Sequence, residues 1–264
     1  MFLPCAECVA TACRIGPTDP HSHRTSGVEG FTLTSDRTIR WPVAGTSGMR
    51  LPSRLMHSLS LRDDVFLLAH DDKGKLAIPE THIGAGLAGA TLIELLLTGR
   101  VAVIDGRLDV LDASPTGDEE IDATLQVIDA NTAPCGPRAW VSWISHGAYE
   151  RKAEALAAVG VVRRTTVRRL GLVAVGRVLP ESQEDLVRVR SRARFAIHGR
   201  ELPDETTAAL CGLVRVLRLE ASLLLSMPRS DLLLALERVT AANEVTVRQV
   251  TNAVDTVITA AAFR

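Results

Sequence analysis

The sequence predicts a mainly α-helical fold: a compact multi-helix domain carrying small antiparallel β-hairpins. Three observations point there. After Leu59, apolar residues recur at helical spacing through most of the chain. Aromatic residues make up 3% against 46% for all hydrophobic residues, so aliphatic side chains must fill the core. Two pairs of short alternating runs are joined by glycine-bearing turns, the pattern of hairpins. A chain of 264 residues can build one sizeable core, or one core and a tail.

The elements follow in order. Residues 1–55 are rich in Thr, Ser, Gly and Pro, lack helical period, and are read as a disordered or loosely ordered extension. Met49 and Met56 stand just before the periodic sequence, so a start placed too early accounts for that extension as well. Residues 56–264 are read as the folded domain. Ser60 and the acids Asp63 and Asp64 open a short helix, DDVFLLAH. Asp71–Gly74 is a turn. Residues 85–98, AGLAGATLIELLLT, are apolar on nearly every face and predict a central helix stopped by Gly99. VAVI-Asp105-Gly106-RLDVLD predicts a hairpin on a type I′ turn. Thr116 or Asp118 caps a helix from about Glu119. Residues 138–158 hold one or two amphipathic helices. VVRRTT and RRLGLVAVGRVL predict a second hairpin. Residues 184–198 alternate like a strand but open on acids like a helix, and helix is preferred. Helices over 204–225, 230–240 and 245–263 complete the chain.

Several motifs that suggest chemistry have blander explanations. Gly84-Ala85-Gly86-Leu87-Ala88-Gly89 has the written form of a dinucleotide loop. The segment before it contains Pro79 and reads poorly as a buried parallel strand, and the strand after the helix turns straight back. Close helix packing explains the glycines better. Cys5, Cys8 and Cys13 with His21 and His23 offer zinc-type ligands without the spacing of a finger, so no metal or other cofactor is expected. With Cys135 and Cys211 the chain has five cysteines, an odd count that favours a reduced, cytoplasmic protein. No run reaches the roughly 18–20 apolar residues of a membrane span. No nucleophile, metalloprotease or phosphate-loop motif appears, so the chain is not read as an enzyme. His82, His146, Ser142 and Ser145 read as surface or packed residues. Asp63-Asp64 and Asp71-Asp72 read as a cap and a turn rather than a cation site.

Charge is distributed unevenly. The chain is nearly neutral, at −1, with 30 Lys and Arg; only Lys73, Lys75 and Lys152 are lysines, a bias that GC-rich, bacterial-type coding produces. From Arg163 to Arg200 ten arginines face three acids, 10 − 3 = +7. Beside an apolar hairpin (Leu170, Leu172, Val173, Val175), that segment suits an anionic membrane surface, where each cation contributes about 1 kcal/mol. A solvated face on an arginine-rich protein accounts for the charges equally well. Nucleic acid is not expected, because Phe195 is the one aromatic residue there for stacking.

GLAGATLIELLLTGRV (86–101), the Asp112–Asp118 stretch ending Pro-Thr-Gly-Asp, and DDVFLLAHDDKGKL (63–76) resemble motifs of the Golgi phosphoprotein 3 family. Trp143-Ile144, Gly160-Val161-Val162 and the terminal NAVDTVITAAAFR fall in the expected order. The resemblance covers about Leu59 to Arg264. It implies a mainly helical domain, phosphatidylinositol 4-phosphate binding, and an adaptor role toward cytosolic tails of membrane proteins. The family's headgroup pocket, a Trp and three Arg, falls on Pro79, Ala88, His146 and Tyr149, so all four positions are substituted here. Arg151 and Lys152 stand close by as replacements. Arg163, Arg164, Arg168, Arg169 and Arg177 are the remaining headgroup candidates. The expectation is a cytoplasmic, peripherally membrane-associated protein. A scaffold without lipid binding is the alternative, and an enzyme using the Gly84–Gly89 loop the remote one.

Overall fold

The computed structural model describes residues 59–131, 133, 135–169 and 173–261, with the backbone alone at 167–169 and 173–175. The extension read over 1–55, with Cys5, Cys8, Cys13, His21 and His23, lies outside the described residues, as do Leu170 and Leu172. Among the described residues are nine α-helices and two antiparallel two-stranded sheets.

Helix α1 (Leu61–Leu68) starts in a capping box. The Ser60 hydroxyl accepts from the Asp63 amide, and the Ser60 amide donates to the Asp63 carboxylate. Helix α2 (Glu80–Leu97) begins five residues earlier than the sequence suggests, behind Pro79. It touches α1, β1 and four later helices and forms the axis of the core. Ile83, Leu92, Ile93 and Leu95 on it are fully buried; each contributes roughly 1.5–3 kcal/mol.

Strands β1 (Val101–Ile104) and β2 (Arg107–Val110) pair around Asp105 and Gly106. Both turn residues have positive φ, +51° and +78°, as the type I′ turn requires. Helix α3 (Glu119–Ala130) is capped by Asp118, whose carboxylate accepts from the amides of Glu120 and Ile121. The 138–158 region divides into α4 (Pro137–Ile144) and α5 (Ala148–Ala158) at Gly147, φ +67°.

Strands β3 (Val162–Arg169) and β4 (Val173–Pro180) form the second hairpin, with Val162 opposite Pro180 and Arg169 opposite Val173. The ambiguous segment is helix α6 (Gln183–Ile197). The helix expected over 204–225 is broken. Helix α7 (Glu205–Leu217) ends at Arg218 in left-handed conformation, and a 3₁₀ turn follows over Glu220–Leu223. Helices α8 (Arg229–Thr240) and α9 (Val245–Ala261) close the domain, α9 packing on α2, α4 and α7.

Candidate lipid-binding site

The base of the β3–β4 hairpin is anchored, and it opens to solvent two pairs further out. Val162 and Val178 are buried. The Val178 amide donates to the carbonyl of Gly74, so the Asp71–Gly74 turn clamps β4. Gly74 has φ +70°, and a Cβ there would meet the Val178 carbonyl oxygen at 2.6 Å, so only glycine fits. One pair outward from Val178, Thr165 and Arg177 are half-buried, and at the next pair Thr166 and Gly176 are exposed.

The headgroup candidates divide. Arg163 and Arg164 are exposed and, as successive strand residues, leave opposite faces of the ribbon. Arg163 lies 3.4 Å from Glu181, and Arg164 lies 2.7 Å from Glu150 on α5. Arg177 is half-buried, and its charge is felt by Asp71 in the clamping turn. Arg168, Arg169, Val173 and Val175 are placed by strand register alone.

Lys152 departs from the sequence reading. It is buried with its ammonium 2.5 Å from Asp63 and 3.9 Å from Glu120, so it is an internal counter-ion. Arg151 turns inward as well. Its guanidinium donates to the carbonyls of His146 and Ile144, capping the end of α4. Neither side chain is presented to a headgroup.

The +7 segment is likewise no single basic face. On α6, Arg190 donates to the Ser222 carbonyl, Arg192 pairs with Asp64, and Arg194 donates to the Leu224 carbonyl. These three arginines hold α6 to α1 and to the 3₁₀ turn. Their spacing at i, i+2 and i+4 shows positive charge but not whether a helix turns it outward.

The four substituted pocket positions do not make a phosphate site. Ala88 is fully buried inside α2. Tyr149 is buried, stacks on Phe66 at 5.5 Å between ring centroids, and its hydroxyl lies 3.2 Å from His70 Nε2. Burial, helped by Glu150 and Glu80, pushes the Tyr149 phenol up to about 12. Those carboxylates put negative charge where a headgroup would carry the same sign. Pro79 and His146 are exposed, and neither carries a guanidinium.

The glycine loop is not a loop. Gly84, Gly86 and Gly89 lie inside α2, where their amides belong to the helix and are unavailable to a pyrophosphate. Each is a close helix contact. A Cβ at Gly84 would meet the Ser145 carbonyl oxygen at 2.7 Å, one at Gly86 would meet Leu217 at 2.6 Å, and one at Gly89 would collide with Val254.

A buried ion network, which sequence reasoning did not anticipate, explains the most distinctive motifs. Arg62 is 2% exposed and binds Glu94 at 2.8 Å, Asp118 at 2.6 Å and Glu120 at 2.7 Å. Burial opposes the Arg62 charge, but Glu94, Glu120 and Asp118 raise its pKa on balance. Thr116 and Gly117 donate to Asp122, which shapes the Pro-Thr-Gly-Asp turn and delivers Asp118 to Arg62. Beside it, burial pushes the Asp64 carboxyl up to about 7 against the pull of Arg192. Among the described residues no cluster of His, Cys, Asp or Glu suits a metal ion, and no helix is long and apolar enough to cross a membrane. Asp71 accepts from the amides of Lys73 and Lys75, a turn as expected.

A search of curated proteins returns no significant match. The family model described as Golgi phosphoprotein 3 (GPP34) matches residues 61–261, more than half of the chain and every described helix and strand. The Glu94 helix and the Asp118 turn, which carried the resemblance in the sequence, meet on one buried arginine, and the chain belongs to the Golgi phosphoprotein 3 family.

Proposed function

We infer that the protein is a peripheral membrane module, not an enzyme, and that its β3–β4 hairpin holds it to anionic lipid. The observation that carries this reading is the hairpin itself. Its base is clamped to the helical body, it opens to solvent further out, and its strands bear Arg163, Arg164, Arg168, Arg169 and Arg177, with Leu170, Leu172, Val173 and Val175 as apolar residues among them. Cations attract lipid phosphates and the apolar residues enter the interface shallowly.

Family membership supports phosphatidylinositol 4-phosphate as the lipid and the tails of membrane proteins as partners. The substituted pocket favours general recognition of negative charge over one headgroup. The protein then resides on the cytosolic face of a membrane.

Flotation with vesicles tests this. The chain rises with vesicles containing anionic lipid at moderate salt, stays behind with neutral vesicles, and is released at high salt as surface charge is screened. Equal recovery with both vesicle types, or none with either, favours the scaffold reading. Adding phosphatidylinositol 4-phosphate at constant total charge reads headgroup preference separately.

A further inference from the structure

We propose that the cavity between α7, α8 and α9 is a second anion site, built for a compound carrying several phosphate charges. It has a volume of about 390 Å³, within the range of small-ligand sites. Arg215, Arg218, Arg229 and Arg248 line it, against the acids Glu220 and Asp255. Glu220 lies 4.0 Å from Arg229 and is largely buried. The Arg248 guanidinium donates to the carbonyls of Ala241 and Asn243 at the end of α8, and among the described residues no carboxylate lies within ion-pair distance of Arg215 or Arg218. The planar guanidinium matches two phosphate oxygens at once, so a cluster of arginines suits a polyphosphate.

The backbone supplies a separate argument. Arg218 terminates α7 with φ +59°, the position where glycine is the easy choice. A non-glycine residue there carries a steric cost that glycine avoids. Arg215 is explained by the negative end of α7, but that end does not require a second cation in a left-handed conformation. A ligand held by the Arg218 guanidinium gives that residue a use at this position. Asn252 at the rim adds an exposed amide for hydroxyl or phosphate oxygens. No residue of the β3–β4 hairpin lines the cavity, so the site stands apart from the membrane contact proposed above.

The test uses the full chain and calorimetric titration with tripolyphosphate and with adenosine triphosphate. Saturable one-to-one binding is expected for at least one probe. Arg215→Ala combined with Arg218→Gly weakens it at least tenfold, while the melting temperature stays level or rises because glycine relieves the left-handed position. Absence of binding at millimolar probe, or unchanged affinity in the double variant, overturns the proposal. Tighter binding of polyglutamate than of tripolyphosphate also overturns it, since the site would then be one for acidic polypeptide. Flotation of the same variant on phosphoinositide vesicles separates the two sources of phosphate. Lost flotation beside weakened tripolyphosphate binding assigns a lipid headgroup, and retained flotation beside weakened binding assigns a soluble ligand.

Discussion

Arg62 shows how much of the domain depends on single buried charges. Its guanidinium is the hub for Glu94 on α2 and for Asp118 and Glu120 at the start of α3. Removing one partner of such a cluster leaves carboxylates without compensation, which costs about 3–5 kcal/mol. Arg62→Ala therefore lowers the unfolding free energy by about that amount in denaturant titration, and a loss under about 1 kcal/mol would show that water supports these acids instead. Asp64 provides a pH signature. Its folded carboxyl titrates near 7 and its unfolded one near 3.8. Between those values the folded chain keeps a proton that the unfolded chain releases, so this contribution is present below 3.8 and is lost as pH rises toward 7. Asp64→Asn cannot lose it, so its stability relative to wild type improves from pH 4 to pH 7.5; a difference that stays flat with pH contradicts the assignment. Neither residue was legible as a partner in the sequence. Local pattern shows Asp64 in a helix's first turn, but pairing with Arg192 spans 128 positions.

Helix α2 shows what periodicity reveals and what it leaves open. Its apolar run was readable as the centre of the core, and its glycines as packing residues. Its start was not, because Thr81 and His82 break the apolar pattern although Pro79 is a good helix entry. Glycine-to-alanine inside a helix ordinarily gains about 1 kcal/mol. At Gly89 the new methyl would run into the branched side chain of Val254 on α9, and overpacking of this kind costs about 1–3 kcal/mol. Gly89→Ala accordingly lowers the melting temperature, and adding Val254→Ala restores part of the loss. If Gly89→Ala raises stability on its own, α9 is not seated against α2 as described. The break at Arg218 was hidden for a related reason: apolar residues continue on both sides of it, and nothing in the spacing marks a left-handed residue that is not glycine.

The folded protein turns its charge segregation to two ends. The sequence shows ten arginines between Arg163 and Arg200, and a linear count treats them as one patch. Three of them on α6 bond to the body, Arg164 reaches α5, and Lys152 with Arg151 faces inward. The segment's outward-facing positive charge is thus smaller than its net charge suggests. The overall architecture was legible because hairpins and amphipathic helices announce themselves locally. The site was less so, because whether an arginine faces solvent or a buried carboxylate is decided by tertiary packing.

Vesicle flotation of Arg168→Glu with Arg169→Glu tests the hairpin as the membrane face most directly, with circular dichroism and melting temperature matched to wild type. The account predicts that the folded double variant no longer rises with anionic vesicles while wild type does. Undiminished flotation of the variant would contradict it and move the membrane contact elsewhere on the protein.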